Sequence, residues 1–255
     1  MPVLSFYSRM GGKSLIRKQI IAKFPKDYHT YVEPFFGAGH VFFDKEPSAV
    51  EVINDLDKEV MDAIADVQIV TVHEVERFEF PENRGHFERL KHQPCSTPAE
   101  RLYRFLYLKW MSFGGMGQTY APTKATQTNS QQRIRSFLKK LPLIQQRLNP
   151  VRIHNEDYLE IMKRYDASDT FFYLDPPFYK TSVKEYTHKY IDIEVLRDYL
   201  KTIKGKFLLS YNDDPYIRVL FQDDFHIESL PVRYVIKKGC NNIKRQELLI
   251  MNYHP

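Results

Sequence analysis

The sequence predicts an α/β fold with a largely parallel sheet. Short runs rich in β-branched and aromatic residues alternate with segments of helical period along most of the 255 residues. The last two apolar runs are separated only by a polar, glycine-containing loop, KKGCNNIKR, which favours an antiparallel final pair. Hydrophobic content of 43% and charged content of 27% are typical of a globular protein long enough for one core and a smaller lobe.

Seven strands are predicted, and helical segments separate most of them. The strands are HTYVEPF around Tyr31, AVEVIND ending at Asp55, VRIHN from Val151, TFFYLD ending at Asp175, KFLLSYN, FHIESLPVRYVI and QELLIMNY. Helical spacing marks DKEVMDAIADV, YLEIMKRY, DIEVLRDYLKTI and DPYIRVLFQ. Pro215 stands early in the last of these helices, where its missing N–H costs little.

A basic, aromatic-rich block interrupts the alternation. We expect residues 67–150 to form an inserted helical lobe, and residues 1–66 and 151–255 to form the main domain. PAERLYRFLYLKWMSFGG is predicted to be a helix that breaks at Gly114-Gly115, and QQRIRSFLKKLPLIQQRL a helix that breaks at Pro142.

The charge distribution points to a polyanionic partner. Residues 101–155 hold ten Lys and Arg and no Asp or Glu, whereas all 32 acidic residues lie elsewhere. Such a one-sided block is typical of a surface that binds a polyanion. The alternative is a solvated basic face without a partner.

Several other classes of protein do not match the sequence. It contains no apolar run of membrane length and no charged-then-apolar leader, so no membrane association is expected. Cys95 and Cys240 match neither a metal site nor a disulfide framework, and we expect a cytoplasmic protein. MGGKS resembles the end of a phosphate-binding loop but lacks the upstream glycine. The scattered histidines show no metal-ligand spacing.

VEPFFGAGHVFF places two glycines after the first strand. Gly37 and Gly39 let the backbone turn sharply and approach a ligand, and the apolar residues after them are suited to begin a helix. Asp55 ends the next strand, where a carboxylate can accept hydrogen bonds from both hydroxyls of a ribose. Together these features indicate an adenosine-type cofactor, although a glycine turn alone is equally typical of plain strand-helix packing.

The stretch TFFYLDPPFYK predicts a rigid acidic tip. Asp175 ends a buried strand, and Pro176 and Pro177 fix the backbone and supply carbonyls without a competing N–H. Two acceptors and the Phe178 ring suit a flat base with an exocyclic amino group. The structural alternative is a proline-terminated strand with Phe178 in the core.

These residues resemble the Dam-like DNA adenine-N6 methyltransferases, which use S-adenosylmethionine. YSRMGGKS is similar to the amino-terminal cofactor motif, EPFFGAG to the F-x-G-x-G turn, NDLD to the ribose-binding acid and LDPPF to the catalytic D-P-P-Y motif. LLSYNDDP and ELLIMNY resemble the closing strands. The resemblance covers most of the chain and implies a Rossmann-like methyltransferase fold: a mixed seven-stranded sheet with a reversed C-terminal hairpin, and a small inserted DNA-recognition lobe.

The resemblance also implies the roles of individual residues. The catalytic set is Asp175, Pro176, Pro177 and Phe178, where Phe178 replaces the usual tyrosine. The cofactor-binding set is Arg9, Lys13, Glu33, Phe35, Gly37, Gly39, Asp55, Asp157 and Asp175, where Arg9 stands in place of a frequent aromatic. Within the basic block, the expected DNA contacts are Lys109, Arg133, Arg135, Lys139 and Lys140.

The expected reaction is methyl transfer to adenine N6 in double-stranded DNA after base flipping. No covalent intermediate and no metal are implied. An RNA adenine, a protein glutamine and a catalytically inactive DNA-binding relative are the alternatives, and the Asp before the two prolines disfavours the glutamine. A monomer is expected, with a dimer and a cognate restriction endonuclease left open.

Overall fold

The chain divides into two compact units. The computed structural model describes residues 4–7, 12–121, 130–178, 191–234 and 243–255. One part, called here the sheet unit, comprises Lys13–Phe36, Lys45–Leu56 and His154–Pro255. The other, the helical unit, comprises Met1–Gly12, Gly37–Asp44 and Asp57–Ile153. The segment predicted to be an insertion, 67–150, therefore lies inside a larger compact unit.

One mixed sheet contains seven strands. They are β1 (Thr30–Glu33), β2 (Val50–Asn54), β3 (Arg152–His154), β4 (Thr170–Leu174), β5 (Lys206–Asn212), β6 (His226–Tyr234) and β7 (Ile243–Met251). Their order is β3-β2-β1-β4-β5-β7-β6. β1 pairs in parallel with β2 and β4, β4 pairs in parallel with β5, and β7 is antiparallel to both β5 and β6. The predicted α/β fold with a reversed C-terminal hairpin is confirmed.

Nine α-helices are described. They are α1 (Arg17–Ile21), α2 (Lys58–Ile69), α3 (Val72–Glu76), α4 (Arg84–His92), α5 (Pro98–Trp110), α6 (Ser130–Leu148), α7 (Tyr158–Tyr165), α8 (Ile193–Leu200) and α9 (Pro215–Phe221). Aspartates begin several of them: Asp157, Asp192 and Asp214 each accept hydrogen bonds from backbone N–H groups of the first turn. This capping satisfies donors that a helix start leaves open.

The two faces of the sheet differ in chemistry. Side chains alternate along a strand, so Phe172 and Leu174 of β4 face one way, and Phe171 and Tyr173 face the other. The first face packs in one apolar cluster with residues of α7, α8 and α9. The second face carries aromatic contacts such as Phe24 with Phe171, together with buried polar side chains including Ser210 and Glu247. The sheet therefore separates an apolar core from a polar, aromatic layer.

A buried ion pair lies beside this polar layer. Lys45 and Glu51 approach to 2.5 Å with both side chains almost wholly inaccessible, and the Lys45 ammonium lies 4.2 Å from the centre of the Tyr31 ring. Each charge compensates the other where water is excluded, so removal of one partner would be costly.

The helical unit packs around α5. Thr97 and Glu100 form a reciprocal capping box at its start, and Pro98 occupies the first turn. Its buried side chains are mostly aromatic or leucine, and Trp110 Nε1 donates to the Phe6 carbonyl at 3.1 Å. The helix ends at Trp110, before the predicted break at Gly114-Gly115, and a short 3-10 turn, Phe113–Gly115, follows, in which Gly114 has φ 59°.

The predicted break at Pro142 is wrong, because α6 runs from Ser130 to Leu148 with the proline inside it. The missing N–H loses one hydrogen bond, but the apolar stripe continues across the proline. Its buried members recur at helical spacing: Ile134, Phe137, Leu141, Ile144 and Leu148. Packing of this stripe outweighs the local effect of the proline.

Two further local expectations need correction. The residues after Gly39 begin no helix: they form turns in which Phe43 N–H donates to the Gly39 carbonyl. The sequence analysis also missed α3 and α4. Both carried a readable start signal, since Thr71 and Glu74 form a capping box and Asn83 caps α4. Within the residues described, no helix is both long and apolar enough to cross a membrane.

Gly205 provides a test of packing before β5. A Cβ there would lie 2.7 Å from the Thr170 carbonyl oxygen and 3.0 Å from that of Ala167. We expect Gly205→Ala to lower the free energy of unfolding by about 2 kcal/mol, because backbone atoms cannot yield as flexible side chains can. Chemical denaturation would measure the loss. Gly85→Ala is the matched control, since its Cβ meets only side-chain atoms; equal stability of the two variants would contradict this packing argument.

Candidate active site

Acidic residues converge on one edge of the sheet unit. β2, β1 and β4 are parallel neighbours, so their carboxyl ends meet at the same edge. Glu33 is the last residue of β1, Asp55 directly follows β2 and Asp175 directly follows β4. The sequence correctly predicted the strand-end positions of Asp55 and Asp175, whereas Glu33 was expected inside a longer first strand.

The Lys13 ammonium lies at the centre of this edge. It is 2.5 Å from Asp175 Oδ1 and 3.0 Å from Glu247 Oε1. The Lys13 and Glu247 side chains are 3% exposed, whereas that of Asp175 is 21% exposed. Asp175 is thus the member of the cluster that a ligand can reach.

The two carboxylates keep Lys13 charged. Burial alone would lower its pKa, but attraction to Asp175 and then to Glu247 outweighs burial and raises the pKa above its ordinary value. Burial, followed by the charge of Asp175, raises the pKa of the Tyr173 hydroxyl well above its ordinary value. At neutral pH the cluster therefore contains a cationic lysine and a neutral tyrosine beside Asp175.

Sequence analysis did not identify Glu247 or Ser210. Ser210 Oγ, on β5, donates to Glu247 Oε1 at 2.7 Å. Glu247 lies opposite Asn212 in the register of β5 and β7, and both strands are central to the sheet. A signal was present in QELLIMNY, because an acid at the start of a run otherwise buried within a sheet needs a buried partner.

The tip after β4 is partly buried. Pro176 is buried, whereas Pro177 and Phe178 are half-buried. The Phe178 ring packs against the apolar cluster, with its centre 5.2 Å from that of Tyr211. Its centre also lies 4.9 Å from the Lys13 ammonium, within the range of a cation–π contact. Lys13 therefore contacts both Asp175 and the ring three residues later.

The end of β2 is bonded to the loop after β3. Asn54 Nδ2 donates to the Glu156 carbonyl at 3.0 Å, and Asn155 Nδ2 donates to the Asp55 carbonyl at 2.7 Å. Asp157 is next in this loop, and its carboxylate caps α7 through Leu159 N–H at 2.8 Å. Asp55 and Asp157 are thereby held on neighbouring segments.

Aromatic and acidic groups complete this edge. The rings of Phe35 and Tyr158 have centres 5.1 Å apart. Glu33 is buried and accepts a hydrogen bond from the Tyr31 hydroxyl at 2.7 Å. This edge therefore combines hydrogen-bond acceptors with flat rings. The carboxylates suit the hydroxyls of a ribose, and the rings suit a purine.

The predicted glycine turn belongs to the helical unit. Gly37 and Gly39 have φ 52° and 63°, values that favour glycine. The Tyr7 hydroxyl donates to the Gly37 carbonyl at 2.6 Å, and Ser5 Oγ donates to the Ala38 carbonyl at 2.7 Å. The sharp turn expected from the sequence is present and held by side chains. Arg9, another predicted cofactor contact, lies outside the described residues.

The five predicted DNA contacts differ in accessibility. Arg135 and Lys139 are exposed on α6, and Lys140 is half-buried. Arg133 is half-buried, its guanidinium donates to the Trp110 carbonyl at 3.4 Å, and burial lowers its pKa. The half-buried Lys109 donates to the Met116 carbonyl at 3.4 Å. The same unit presents Phe113, which is 62% exposed beside Gly114.

Comparison with known proteins identifies the family. A family model described as D12 class N6 adenine-specific DNA methyltransferase matches residues 10–236. Three Type II methyltransferases align over nearly their whole lengths. M1.LlaDCHI of Lactococcus lactis subsp. cremoris is 26% identical over 95% of this chain and 93% of its own length, and M.MjaIII of Methanocaldococcus jannaschii is 26% identical over 99% of this chain and 100% of its own. M.CviBI of Paramecium bursaria Chlorella virus NC1A is 25% identical over 95% of this chain and 97% of its own length. This chain belongs to the D12 class of N6 adenine-specific DNA methyltransferases.

Proposed function

We propose that this protein transfers a methyl group from S-adenosylmethionine to the N6 amino group of adenine in double-stranded DNA. The observation that carries the proposal is the half-exposed Asp175 carboxylate, held by buried Lys13 at the carboxyl edge of the parallel strands. This is the edge at which α/β sheets bind ligands. Family membership supports the adenine and the DNA, and the donor set at this edge supports an adenosine-type cofactor.

The residues that would hold the cofactor lie at the ends of adjacent strands. Asp55 would accept hydrogen bonds from the ribose hydroxyls, Asp157 would lie by the adenine, and Phe35 would pack against it. Glu33, Lys13 and Asp175 would contribute polar groups. The roles of Arg9, Gly37 and Gly39 stay predictions from the sequence. When bound, S-adenosylmethionine supplies a methyl carbon whose bond to sulfur breaks with both electrons going to sulfur.

Asp175 and Pro176 would prepare the nitrogen. The amino lone pair of adenine is delocalised into the ring, so N6 is a poor nucleophile. The Asp175 carboxylate and the Pro176 carbonyl would accept hydrogen bonds from the two N6–H groups. This favours a pyramidal nitrogen and directs its lone pair to the methyl carbon. A new N–C bond forms and N6 then loses one proton to the solvent or to Asp175. Phe178 would stack on the base after it is flipped out.

DNA would bind through the basic block of the helical unit. Arg135 and Lys139 are the accessible cations of α6 and suit phosphate contacts, and the exposed Phe113 suits stacking on bases. Arg133 and Lys109 are half-buried and already donate to backbone carbonyls, so they would stabilise this surface without contacting phosphates. A cognate restriction endonuclease would accord with the Type II names of the relatives and stays a prediction.

Asp175→Asn tests the chemistry. We expect kcat to fall by about 10²- to 10³-fold. The neutral amide is a weaker hydrogen-bond acceptor for the N6 amino group than the carboxylate, and it no longer forms an ion pair with Lys13. Transfer of tritiated methyl groups to unmethylated bacterial duplex DNA measures this rate. An unchanged circular dichroism spectrum and melting temperature are the control for an intact fold. Wild-type transfer by this variant would exclude the proposed mechanism.

Asp55→Ala tests the cofactor site. Losing hydrogen bonds to a charged acceptor should weaken S-adenosylmethionine binding about tenfold or more, as measured by calorimetry in the absence of DNA. Asp62→Ala is the matched control, because the Asp62 side chain is 44% exposed on α2 of the helical unit and forms an ion pair with Lys58, one turn earlier. Equal affinities of the two variants would remove Asp55 from the cofactor site.

The double variant Arg135→Gln, Lys139→Gln tests the DNA surface. Each lost phosphate contact should reduce the slope of log affinity against log salt concentration by about 1. Fluorescence anisotropy with a labelled duplex over a salt series measures the slope. Lys163→Gln, at an exposed position on α7, is the control. An unchanged slope in the double variant would place the DNA elsewhere.

A further inference from the structure

We propose that Glu247 is a positioning residue for methyl transfer: through Lys13 it fixes the Asp175 carboxylate and keeps the cluster net negative. This inference rests on the proposed function and extends it to a strand that the sequence motif around Asp175 does not reach.

The contacts form a continuous chain across three strands. Ser210 on β5 donates to Glu247 on β7 at 2.7 Å, Glu247 is 3.0 Å from the Lys13 ammonium, and the ammonium is 2.5 Å from Asp175 after β4. Since β5 lies between β4 and β7, their backbones are roughly 9–10 Å apart. The Asp175 and Glu247 side chains reach across this distance and meet at the Lys13 ammonium.

The burial of Glu247 indicates that it has a role beyond stabilising the fold. Glu247 is 2% exposed, and a buried ion pair can often be replaced by apolar residues without loss of stability. Lys13 already has a partner in Asp175. A second carboxylate on the same ammonium restrains where that ammonium lies, and therefore where Oδ1 of Asp175 and the Phe178 ring lie.

Charge gives Glu247 a second effect. Asp175 and Lys13 alone would be neutral, so Lys13 would weaken Asp175 as an acceptor. Because the Lys13 ammonium also pairs with Glu247, it neutralises Asp175 only in part. The three side chains together carry a net charge of −1. That charge favours the positive charge that develops on N6 as its lone pair forms the new N–C bond.

Two tyrosine hydroxyls and one more carboxylate face the cluster. Burial first, and then nearby carboxylates, raises the pKa of both Tyr31 and Tyr173 well above ordinary, so both hydroxyls stay protonated at neutral pH. Glu33, beside Tyr31, is the other buried carboxylate that acts on Tyr173. A change in the acid limb after Glu247 is altered therefore does not come from either hydroxyl.

Glu247→Gln removes the charge and keeps the shape and the acceptor for Ser210. We expect kcat for tritiated methyl transfer to unmethylated bacterial duplex DNA to fall about tenfold, with KM for DNA and affinity for S-adenosylmethionine within about twofold of wild type. Loss of a neighbouring negative charge lowers the pKa of a carboxyl group. The acid limb of the pH profile of kcat should therefore move to lower pH.

Glu51→Gln is the matched control. Glu51 is equally buried on β2, pairs with Lys45 at 2.5 Å in the same unit and accepts a hydrogen bond from Ser48 N–H at 3.3 Å. Its replacement should lower the melting temperature and leave kcat and the acid limb unchanged. A fall in kcat of equal size in both variants, or an unmoved acid limb in Glu247→Gln, would reduce Glu247 to a structural residue.

Ser210→Ala and a spectroscopic measurement complete the test. Ser210→Ala loosens Glu247 without changing charge, so kcat should fall about two- to threefold with the acid limb unmoved. If Glu247→Gln does not fold, unaltered kcat in Ser210→Ala overturns the proposal. In the protein without cofactor at neutral pH, NMR of lysines labelled at Cε should show a displaced Lys13 signal in Glu247→Gln and an unchanged one in Glu51→Gln. An undisplaced Lys13 signal in Glu247→Gln would also overturn the proposal.

Failure of this inference can be distinguished from failure of the proposed function. If Asp175→Asn abolishes methyl transfer while Glu247→Gln is fully active, the reaction stands and the role of Glu247 is wrong. If Asp175→Asn is fully active, the role of Asp175, and with it that of Glu247, is wrong. If the wild-type protein transfers no methyl group to duplex DNA, the proposed function itself is wrong.

Discussion

The arrangement of the sheet unit depends on one ammonium group removed from water. Lys13 is almost wholly buried, and a buried charge is tolerated only with charged or strongly polar partners around it. Asp175 and Glu247 meet that need from two strands that are not neighbours, and Ser210 supports the second carboxylate from the strand between them. The central strands of the sheet must therefore lie in a fixed register for the charge to be compensated.

The two faces of the sheet divide structural and chemical roles. Side chains that point to α7, α8 and α9 are apolar and form a continuous core. Those that point the other way include the hydroxyls and carboxylates gathered around Lys13. Strand alternation places these sets one residue apart, so that Tyr173 and Leu174 belong to opposite faces immediately before Asp175.

The sequence predicted features that depend on neighbouring residues. Strand ends, the acids that follow them and the turn at Gly37 and Gly39 follow from local backbone chemistry, and all are present. Pro142 was misjudged because long-range packing of α6 outweighs one missing hydrogen bond. Glu247 was missed for a related reason: its role arises only when β7 pairs with β5, and pairing between distant strands is not encoded by local pattern.

The position of β7 in the sheet also has a consequence for biosynthesis. A ribosome makes Lys13 early and Glu247 only after more than two hundred further residues, so a nascent chain carries Lys13 before its second carboxylate exists. Contacts of such long sequence separation form late, after most of the chain is available. Translation products that end before β7 would hold the acidic tip and Lys13 yet lack the second carboxylate that pairs with this ammonium.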